Sequence, residues 1–534
     1  MPEPASEEFD YVIVGAGSAG CVLANRLSAD EGAAVLLLEA GKSDKTAFVQ
    51  VPVGAVAILP RAFHNWAYQT APQPGLGGRR AYQPCGKVLG GSSSINAMVY
   101  VRGTREDYDR WAAAGASGWS YDEVLPYFLR AEDNESLGPP YHGKGGPLSV
   151  ADLRTGNLAS EAFVEAATQC GYTRNPDFNG ASQEGFGLYQ VTQRDGLRCS
   201  AAKAYLDPAL GRRNLEVATE AHATRVLFEG RRATGVEYLR AGRRLTARAR
   251  REVILSGGAI GSPKLLMLSG VGPADHLRAM GIPVVFDAPG VGGNLHDHPD
   301  VVFAYTSDST ELLGLAFRGL GRRLHEIGSF RRDRSGMWTT NFAEAGGFLR
   351  SAESEAEPDL QLHFVIAIVS DHARKLIFSL GFSCHVCVMQ PRSRGALRLA
   401  SPDPRAAPSI DPGFLTDPDD LERLARGFRL TRRILEAPAL APYRKKELWT
   451  AGVDSESAIR ELLRERVDTI YHPVGTCRMG SDEGAIVDPA LRVRGVDGLR
   501  VIDASVMPQV VSGNTNAPTI MIGEKGADLI LGRA

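Results

Sequence analysis

Residues 11–39 constrain the fold more than any other part of this 534-residue chain. Residues 11–14 (YVIV) form a continuous apolar run of the kind that is buried on both faces of a parallel sheet. A glycine-rich turn follows at residues 15–20 (GAGSAG), then a helical stretch through Leu27 and a second apolar strand at residues 35–38 that ends in Glu39. This order predicts a β-α-β unit, so we expect an α/β fold.

The turn of this unit has the G-x-G-x-x-G spacing of a dinucleotide site. Glycine lets the backbone approach a pyrophosphate, and the following helix offers it unpaired N–H groups. The acid at the end of the second strand is placed to accept from ribose hydroxyls. We therefore predict cofactor binding by Gly15, Gly17, Ser18, Ala19, Gly20, Glu39 and Ala40. A tight turn without a ligand is the alternative, although it leaves the acid unexplained, and the motif alone does not separate NAD from FAD.

The domain organisation follows from length and from the order of the patterns. One hydrophobic core rarely serves so long a chain, so we expect two lobes. The α/β pattern of the first segment recurs late in the chain, with a strand at residues 499–503 and a closing helix at 521–531. Between these segments, strands at 360–369 and 384–389 and a long helix at 417–435 indicate a substrate-side lobe. We predict a discontinuous cofactor domain (residues 1–155, 196–305 and 466–534) and a substrate domain (156–195 and 306–465).

Composition excludes several classes of function. A formal net charge of -2 with 23% charged residues gives no general attraction to nucleic acid. The 7 cysteines are odd in number and scattered, unlike a secreted disulfide framework. No signal peptide is visible at the acidic N-terminus, and no apolar run approaches the roughly 20 residues that span a bilayer. We expect a cytoplasmic protein that does not cross a membrane. The sequence leaves its oligomeric state open.

Longer motifs supply a resemblance. Residues 86–96 (GKVLGGSSSIN, ending at Tyr100), 258–263 (GAIGSP), 269–272 (SGVG), 471–476 (YHPVGT) and 514–516 (NTN) resemble the signatures of the glucose-methanol-choline (GMC) oxidoreductase family. They occur in the family's order and span nearly the whole chain. The resemblance is strongest to bacterial choline dehydrogenase-like and medium-chain alcohol dehydrogenases. It implies a Rossmann-like FAD-binding domain and a substrate-binding domain with an antiparallel sheet and helices.

The resemblance also implies FAD, with the loop at residues 90–99 lying along the isoalloxazine ring. Small residues in this loop agree, since a flat ring lies on backbone only where side chains stay out of the way; a serine-rich surface turn is the alternative. Ile95 stands where some members carry a histidine that tethers FAD, so we expect non-covalent binding. Asp503 is expected to meet the ribityl or pyrophosphate part. The binding residues implied are Trp66, Val88, Gly91, Ser92, Asn96, Ala97, Met98, Val99, Ala223, Asp503, Ala504, Asn516 and Thr519.

Two residues carry the predicted chemistry. His472 resembles the catalytic base of the family, and an imidazole with an ordinary pKa near 6.5 accepts a proton around neutrality. Asn514 matches the partner position, where other members carry histidine, and its amide can donate to the substrate oxygen. The predicted activity is oxidation of a primary alcohol to an aldehyde, with electrons passed to a quinone or another acceptor.

Several alternatives to this function stay open. An alcohol oxidase that uses dioxygen is the nearest, and a choline dehydrogenase acts by the same chemistry. The same fold also hosts the non-redox hydroxynitrile lyases and a fatty-acid photodecarboxylase. Glu344 bears on choline, because it could face the substrate and meet a cationic group, but a structural ion pair explains an acid there equally well.

Other signals are interpreted structurally. Cys384 and Cys387 form a C-x-x-C, which we interpret as buried thiols in a strand because no second ligand cluster follows at zinc spacing. His296, Asp297 and His298 suggest a metal, but they lie in a segment that resembles a family loop near the flavin.

Residues 312–327 predict a basic amphipathic helix. Such a helix can lie on an anionic membrane surface, where a quinone could take electrons from the flavin. An ordinary surface helix that covers the mouth of the active site explains the same pattern. The apolar positions are Leu313, Ala316, Leu320, Leu324 and Ile327, and the basic ones are Arg318, Arg322 and Arg323, followed by Arg331, Arg332 and Arg334.

Overall fold

The computed structural model describes residues 7–315 and 320–534, without the side chains of residues 320–325. Its largest elements are two seven-stranded sheets. The first sheet has the strand order Leu215–Ala218, Val35–Leu38, Glu7–Val14, Arg243–Leu255, Arg232–Arg240 and Ala221–Glu229, with Leu499–Val501 paired to Arg243–Leu255.

The parallel part of this sheet forms the centre of the predicted β-α-β unit. Glu7–Val14 pairs in parallel with both Val35–Leu38 and Arg243–Leu255, and all four residues of Val35–Leu38 are buried, as expected for a strand with both faces covered. The helices Ser18–Leu27 and Asn516–Leu531 pack against each other over it. The α/β fold with a Rossmann-like unit is confirmed.

The second sheet is antiparallel throughout. Its order is Lys446–Leu448, Pro299–Ser307, Leu380–Val388, Leu360–Val365, Ala343–Leu349 and Gly185–Leu188, with Asp468–Thr469 paired to Pro299–Ser307. The helix Pro418–Glu436 covers one face, where Phe428 lies 4.5 Å from Phe303 between ring centroids. The predicted antiparallel sheet of the substrate side is confirmed.

Successive side chains of the strand Leu360–Val365 point to opposite faces of the sheet, and the two faces have different roles. Leu360, Leu362 and Phe364 join the core under the long helix, whereas His363 and Val365 point to the opposite face and line a cavity. One strand therefore supplies both the core and the wall of a site.

The ends of several predicted elements differ from the structure. The strand expected at 360–369 ends at Val365, the strand expected at 384–389 begins at Leu380, and the closing helix begins at Asn516 rather than at Met521. Pro518 lies in the first turn of that helix, where its missing N–H breaks no intrahelical bond. The five-segment domain division stays a prediction.

The predicted basic helix is only partly described. Ala316 and Arg318 lie outside the described residues, as do the side chains of Leu320, Arg322, Arg323 and Leu324. A helix is present at Leu320–Asp333. Within the described ranges, every helix is too short or too polar to cross a membrane.

Smaller elements complete the chain. Further helices are Ala47–Gln50, Ala55–Ile58, Arg105–Ala113, Tyr121–Ala131, Leu158–Gln169, Asp207–Ala209, Gly258–Leu268, Ala274–Ala279 and Glu456–Arg466. Two-stranded sheets pair Tyr68–Gln69 with Tyr82–Gln83, Glu132–Asn134 with Leu148–Val150, Gln193–Arg194 with Leu197–Arg198, Val271–Gly272 with Phe286–Asp287, and Ala396–Arg398 with Ser409–Asp411.

Candidate active site

A continuous cavity runs from the carboxyl ends of the parallel strands to the inner face of the antiparallel sheet. Val14, Leu38 and Leu255 line it at one end and His363 and His385 at the other. Ligands of open α/β sheets bind at the carboxyl ends of the strands. The wall contains these predicted residues: Gly15, Gly17, Ser18, Ala19, Glu39, Ala40, Trp66, Gly91, Ser92, Asn96, Ala97, Met98, Val99, Ala223, His472, Asp503, Ala504, Asn514, Asn516 and Thr519.

Two predicted residues lie behind the wall rather than on it. A Cβ on Gly20 would lie 1.9 Å from the carbonyl oxygen of Gly15, so Gly20 allows the helix to pack tightly behind the turn. Val88 is fully buried in a small cluster with Val49, Ile58 and Ile95. Cofactor contact by Gly20 and Val88 stays a prediction.

The glycine turn forms an open trough. Gly15 has φ +101, and a Cβ there would lie 2.5 Å from the carbonyl oxygen of Ser256. A Cβ on Gly17 would meet no atom nearer than 3.8 Å, and one on Gly261 would meet none within 4 Å, so side chains at these two positions would project into the cavity. No side chain of the described residues caps the helix Ser18–Leu27. These N–H groups and this trough fit a pyrophosphate.

Glu39 is held by two backbone groups. Its Oε2 accepts from the N–H of Ala16 at 2.9 Å and its Oε1 from the N–H of Gly41 at 2.7 Å. Burial raises the pKa of Glu39 to about 7, against the lowering effect of these two bonds. Each oxygen keeps a lone pair, so the side chain is oriented for the ribose hydroxyls that the sequence predicts.

The raised pKa of Glu39 gives a pH-dependent affinity for FAD. Ribose hydroxyls favour the carboxylate, so below the apoprotein pKa of about 7 binding must release a proton. We expect the Kd of the deflavinated protein for FAD to rise up to about tenfold for each pH unit below 7, and to be flat above it. Fluorescence titration between pH 5.5 and 8.5 measures this. Glu39→Gln should weaken binding and remove the slope; the same slope in that variant contradicts the assignment.

Asp503 organises the second glycine turn. Its Oδ2 accepts from the N–H of Gly258 at 2.8 Å and the hydroxyl of Ser262 at 2.6 Å, and its Oδ1 accepts from the N–H and hydroxyl of Ser505. The carboxylate thus joins the strand end at residue 501 to the start of the helix Gly258–Leu268. Its predicted contact with the ribityl or pyrophosphate part stays a prediction.

The loop predicted to carry the flavin lies against the first turn. A Cβ on Gly91 would lie 2.7 Å from Cα of Gly17. The Oδ1 of Asn96 accepts from the N–H of Met98 at 3.0 Å and from Nη1 of Arg198 at 2.9 Å. Arg198 also donates to the carbonyl oxygens of Val49, Ser93 and Asn96. Among the described residues it has no carboxylate partner, and burial lowers its pKa to about 9.

His472 and Asn514 meet in the wall of the same cavity. The Nε2 of His472 lies 3.2 Å from Nδ2 of Asn514. Gln361 fixes the orientation of the asparagine, because its Nε2 donates to Oδ1 of Asn514 at 3.2 Å and leaves the amide NH2 turned to the histidine. Burial, together with the neighbouring His298 and His363, lowers the pKa of His472 well below its usual value. A neutral imidazole is the form that can accept a proton.

The cavity wall beside this pair is mostly apolar. The carboxylates in the wall, Glu39 and Asp503, both lie at the nucleotide end. Glu344 is buried and accepts from the hydroxyls of Ser160 at 2.8 Å and Thr340 at 2.7 Å, so it is turned away from the cavity and bound to hydroxyls. The apolar wall consists of Phe342, Ala343, Val365, Ala367, Ile368, Val369 and Ile470.

Sequence reasoning missed several wall residues. Tyr68 stacks on Trp66 with 5.6 Å between ring centroids, and His222 and Lys264 both bind the carbonyl oxygen of Pro404. His363 and His385 lie across the sheet from each other as paired residues. Only the period of two along their strands could have placed these histidines on the cavity face.

The C-x-x-C motif at residues 384–387 and the His-Asp-His motif at residues 296–298 have structural environments that differ from each other. Cys384 and Cys387 are free and fully buried in the strand Leu380–Val388, and they belong to different core clusters because residues three apart point to opposite faces. Within the described ranges no group of three or more potential metal ligands is brought together. His296, Asp297 and His298 instead contact the segment that carries His472.

Comparisons with known proteins show the family to which the chain belongs. The family model for the GMC oxidoreductases matches residues 9–300 with its N-terminal part and residues 391–523 with its C-terminal part. The chain therefore belongs to the GMC oxidoreductase family. It is an FAD-dependent enzyme that oxidises an alcohol.

Individual relatives align over nearly their whole length. An alcohol dehydrogenase [acceptor] from Pseudomonas putida is 47% identical over 98% of this chain and 96% of its own. The mitochondrial choline dehydrogenase of Homo sapiens is 47% identical over 99% of this chain and 90% of its own. The crystal structure of pyridoxine 4-oxidase from Mesorbium loti superposes with a TM-score of 0.87 at 33% identity, over 97% of this chain and 98% of that one.

Proposed function

We propose that this enzyme oxidises a neutral primary alcohol to an aldehyde, with His472 as the base and Asn514 as the donor that holds the oxygen. The observation that carries the proposal is the 3.2 Å contact between Nε2 of His472 and Nδ2 of Asn514 in the wall of the cavity. An alcohol oxygen that lies beside both atoms, within hydrogen-bond distance of each, gives its proton to Nε2 and accepts from Nδ2. Bound FAD supplies the two-electron acceptor for the hydride from the carbinol carbon.

The wall of the substrate compartment supports a neutral alcohol. Most of its side chains around the pair are aliphatic, its polar side chains there include His363, and the described wall places no carboxylate there. A quaternary ammonium group enclosed by such a wall would be a buried charge without a counter-ion, which costs several kcal/mol. We therefore propose an aliphatic or aromatic alcohol rather than choline as the substrate, although choline is the substrate named for several relatives.

An anaerobic substrate panel tests this proposal. A straight-chain aliphatic alcohol and an aromatic alcohol should bleach the bound flavin, and choline should do so at least about 100-fold more slowly at equal concentration. Stopped-flow absorbance at the flavin maximum measures the rates. Choline reduction at the rate of the aliphatic alcohol contradicts the substrate class, and failure of every alcohol to bleach the flavin contradicts the function.

The attachment of FAD and its electron acceptor are also part of the proposal. Ile95 offers no nucleophile to the flavin, so denatured enzyme should release all its FAD, and flavin retained on the polypeptide contradicts this.

We propose a quinone as the electron acceptor rather than dioxygen. A quinone analogue should reoxidise the enzyme faster than air-saturated buffer, and stoichiometric hydrogen peroxide during turnover contradicts the assignment.

Exposed apolar residues support contact with a membrane that holds such a quinone. Leu376 is 65% exposed and Phe378 81% exposed, and they follow directly on the cavity-lining Ile368, Val369 and Ala373. Leu315, also exposed, lies beside them because Gly314 bridges to Leu380. The enzyme should sediment with anionic vesicles, and Phe378→Ser should reduce the bound fraction; full recovery of the native enzyme in the supernatant contradicts this contact.

A further inference from the structure

Three consecutive residues, 296–298, brace the segment that holds His472. The Oδ1 of Asp297 accepts from the backbone N–H of His472 at 2.9 Å, and its Oδ2 accepts from the hydroxyl of Thr469 at 2.5 Å. His296 pairs with Val474 through the backbone, and its Nε2 accepts from the N–H of Val510 at 2.9 Å. The third residue, His298, reaches the ring of His472 itself.

The imidazole rings of His298 and His472 face each other with the same nitrogen, Nδ1. The Nδ1 of His298 lies 3.1 Å from Nδ1 of His472, with the ring planes at 85°. Burial lowers the pKa of His298 to about 3 and that of His472 well below its usual value, so both rings are neutral near pH 7. Each neutral ring carries one proton, so a hydrogen bond at this distance requires one Nδ1 to donate and the other to accept.

The orientation of Asn514 decides which ring donates. The Oδ1 of Asn514 accepts from Nε2 of Gln361, so its amide NH2 is turned to His472 and lies 3.2 Å from Nε2 of that ring. An amide N–H only donates, so Nε2 of His472 is the bare nitrogen and its Nδ1 carries the single proton of the neutral ring. The Nδ1 of His298 must then accept, and the proton of that ring lies on its buried Nε2.

We propose that His298 is a positioning residue for the base: its bare Nδ1 accepts from Nδ1–H of His472 and so holds the tautomer whose Nε2 lone pair faces the substrate. The proposal rests on the proposed function, in which Nε2 takes the hydroxyl proton. In the opposite tautomer Nε2 would carry a proton and could not act as a base. A neutral partner also gives the imidazolium no counter-charge, unlike the carboxylate partner of many catalytic histidines.

Nitrogen NMR reads the tautomer directly in the FAD-bound enzyme. With 15N-labelled histidine, and His472 assigned by its loss in His472→Gln, Nδ1 should have the shift of a protonated nitrogen and Nε2 that of a bare one. The opposite pattern overturns the proposal. This readout requires no turnover, so it stays informative even if His472 is not the base.

Three variants of His298 separate positioning from folding. His298→Leu fills the space without an acceptor and should slow anaerobic flavin reduction about tenfold or more, with little change in KM. His298→Asn places Oδ1 near the former Nδ1 and should keep the rate within about threefold of wild type. Equal losses in the leucine and asparagine variants overturn the proposal.

His298→Asp adds a readout that a merely structural role of His298 would not change. A carboxylate beside Nδ1 favours the charged ring, so the pKa that limits flavin reduction should rise by about one unit or more. The other titratable groups facing the pair, His296, Asp297, His363 and the Asp300–His385 pair, are unchanged in this variant. An unshifted profile overturns the proposal. If His472→Ala keeps the wild-type reduction rate, the proposed function fails instead.

Discussion

Replacing His472 by alanine slows anaerobic flavin reduction by alcohol ~100-fold or more, the usual scale for loss of a general base. The FAD content and visible spectrum stay those of wild type, because His472 lies at the substrate end of the cavity and Glu39 and Asp503 lie at the nucleotide end. Stopped-flow absorbance measures the rate, and a scan from pH 6 to 10 shows whether hydroxide replaces the base. The residual rate should then rise with pH.

His276 is the matched control for this experiment. It lies on the helix Ala274–Ala279 outside the cavity, where its Nε2 accepts from the N–H of Leu399. His276→Gln should keep the reduction rate within about twofold of wild type, as for a change remote from the site. Wild-type reduction kinetics in His472→Ala remove this residue from the mechanism. A loss in both variants indicates general damage instead.

Replacing Asn514 by aspartate lowers the same rate by about 1,000-fold, the upper range for loss of a preorganised donor. The variant removes the N–H that holds the substrate oxygen and places an acceptor-only group against an oxygen that is gaining negative charge. The new carboxylate also favours the charged form of the His472 imidazole, so the pKa that limits the reaction should rise. Single-turnover reduction between pH 6 and 10 measures both effects.

Histidine at position 514 is the control for this second prediction. An imidazole can donate where the amide did, and other members of the family carry histidine there, so Asn514→His should keep the rate within about tenfold of wild type. Gln361, which now donates to Oδ1 of Asn514, then loses that acceptor. If aspartate and histidine reduce the rate equally, donation to the substrate oxygen is not the role of this position.

The nucleotide end was largely predictable from the sequence. Buried parallel strands require apolar runs, and a turn against a pyrophosphate requires glycine. The local sequence of residues 11–39 is therefore enough to predict the β-α-β unit that they form. The direction of the Val88 side chain could not be predicted in this way. Val88 belongs to the same motif as Gly91, yet its side chain lies in a small core behind the loop. The motif identifies the segment but not which face each side chain takes.

The substrate end depended on contacts between distant segments, and the sequence could not supply them. His472 and Asn514 were identified only by resemblance, whereas Gln361, His363 and His298 reach the same point from strands and loops far away in the chain. In the sequence, His298 stands out only as part of a His-Asp-His motif in a segment that resembles a family loop near the flavin. Its setting against another imidazole becomes visible only once the fold brings residues 298 and 472 together.

The first and last segments of the chain share one site. The hydroxyl of Ser18 donates to Oδ1 of Asn516 at 2.7 Å, Arg26 binds Glu524, and the strand Leu499–Val501 completes the first sheet. A nascent chain therefore cannot complete this part of the pocket until residues 516–524 have left the ribosome. We expect tight FAD binding only after that point, and a chain that ends at Asn514 should purify without cofactor.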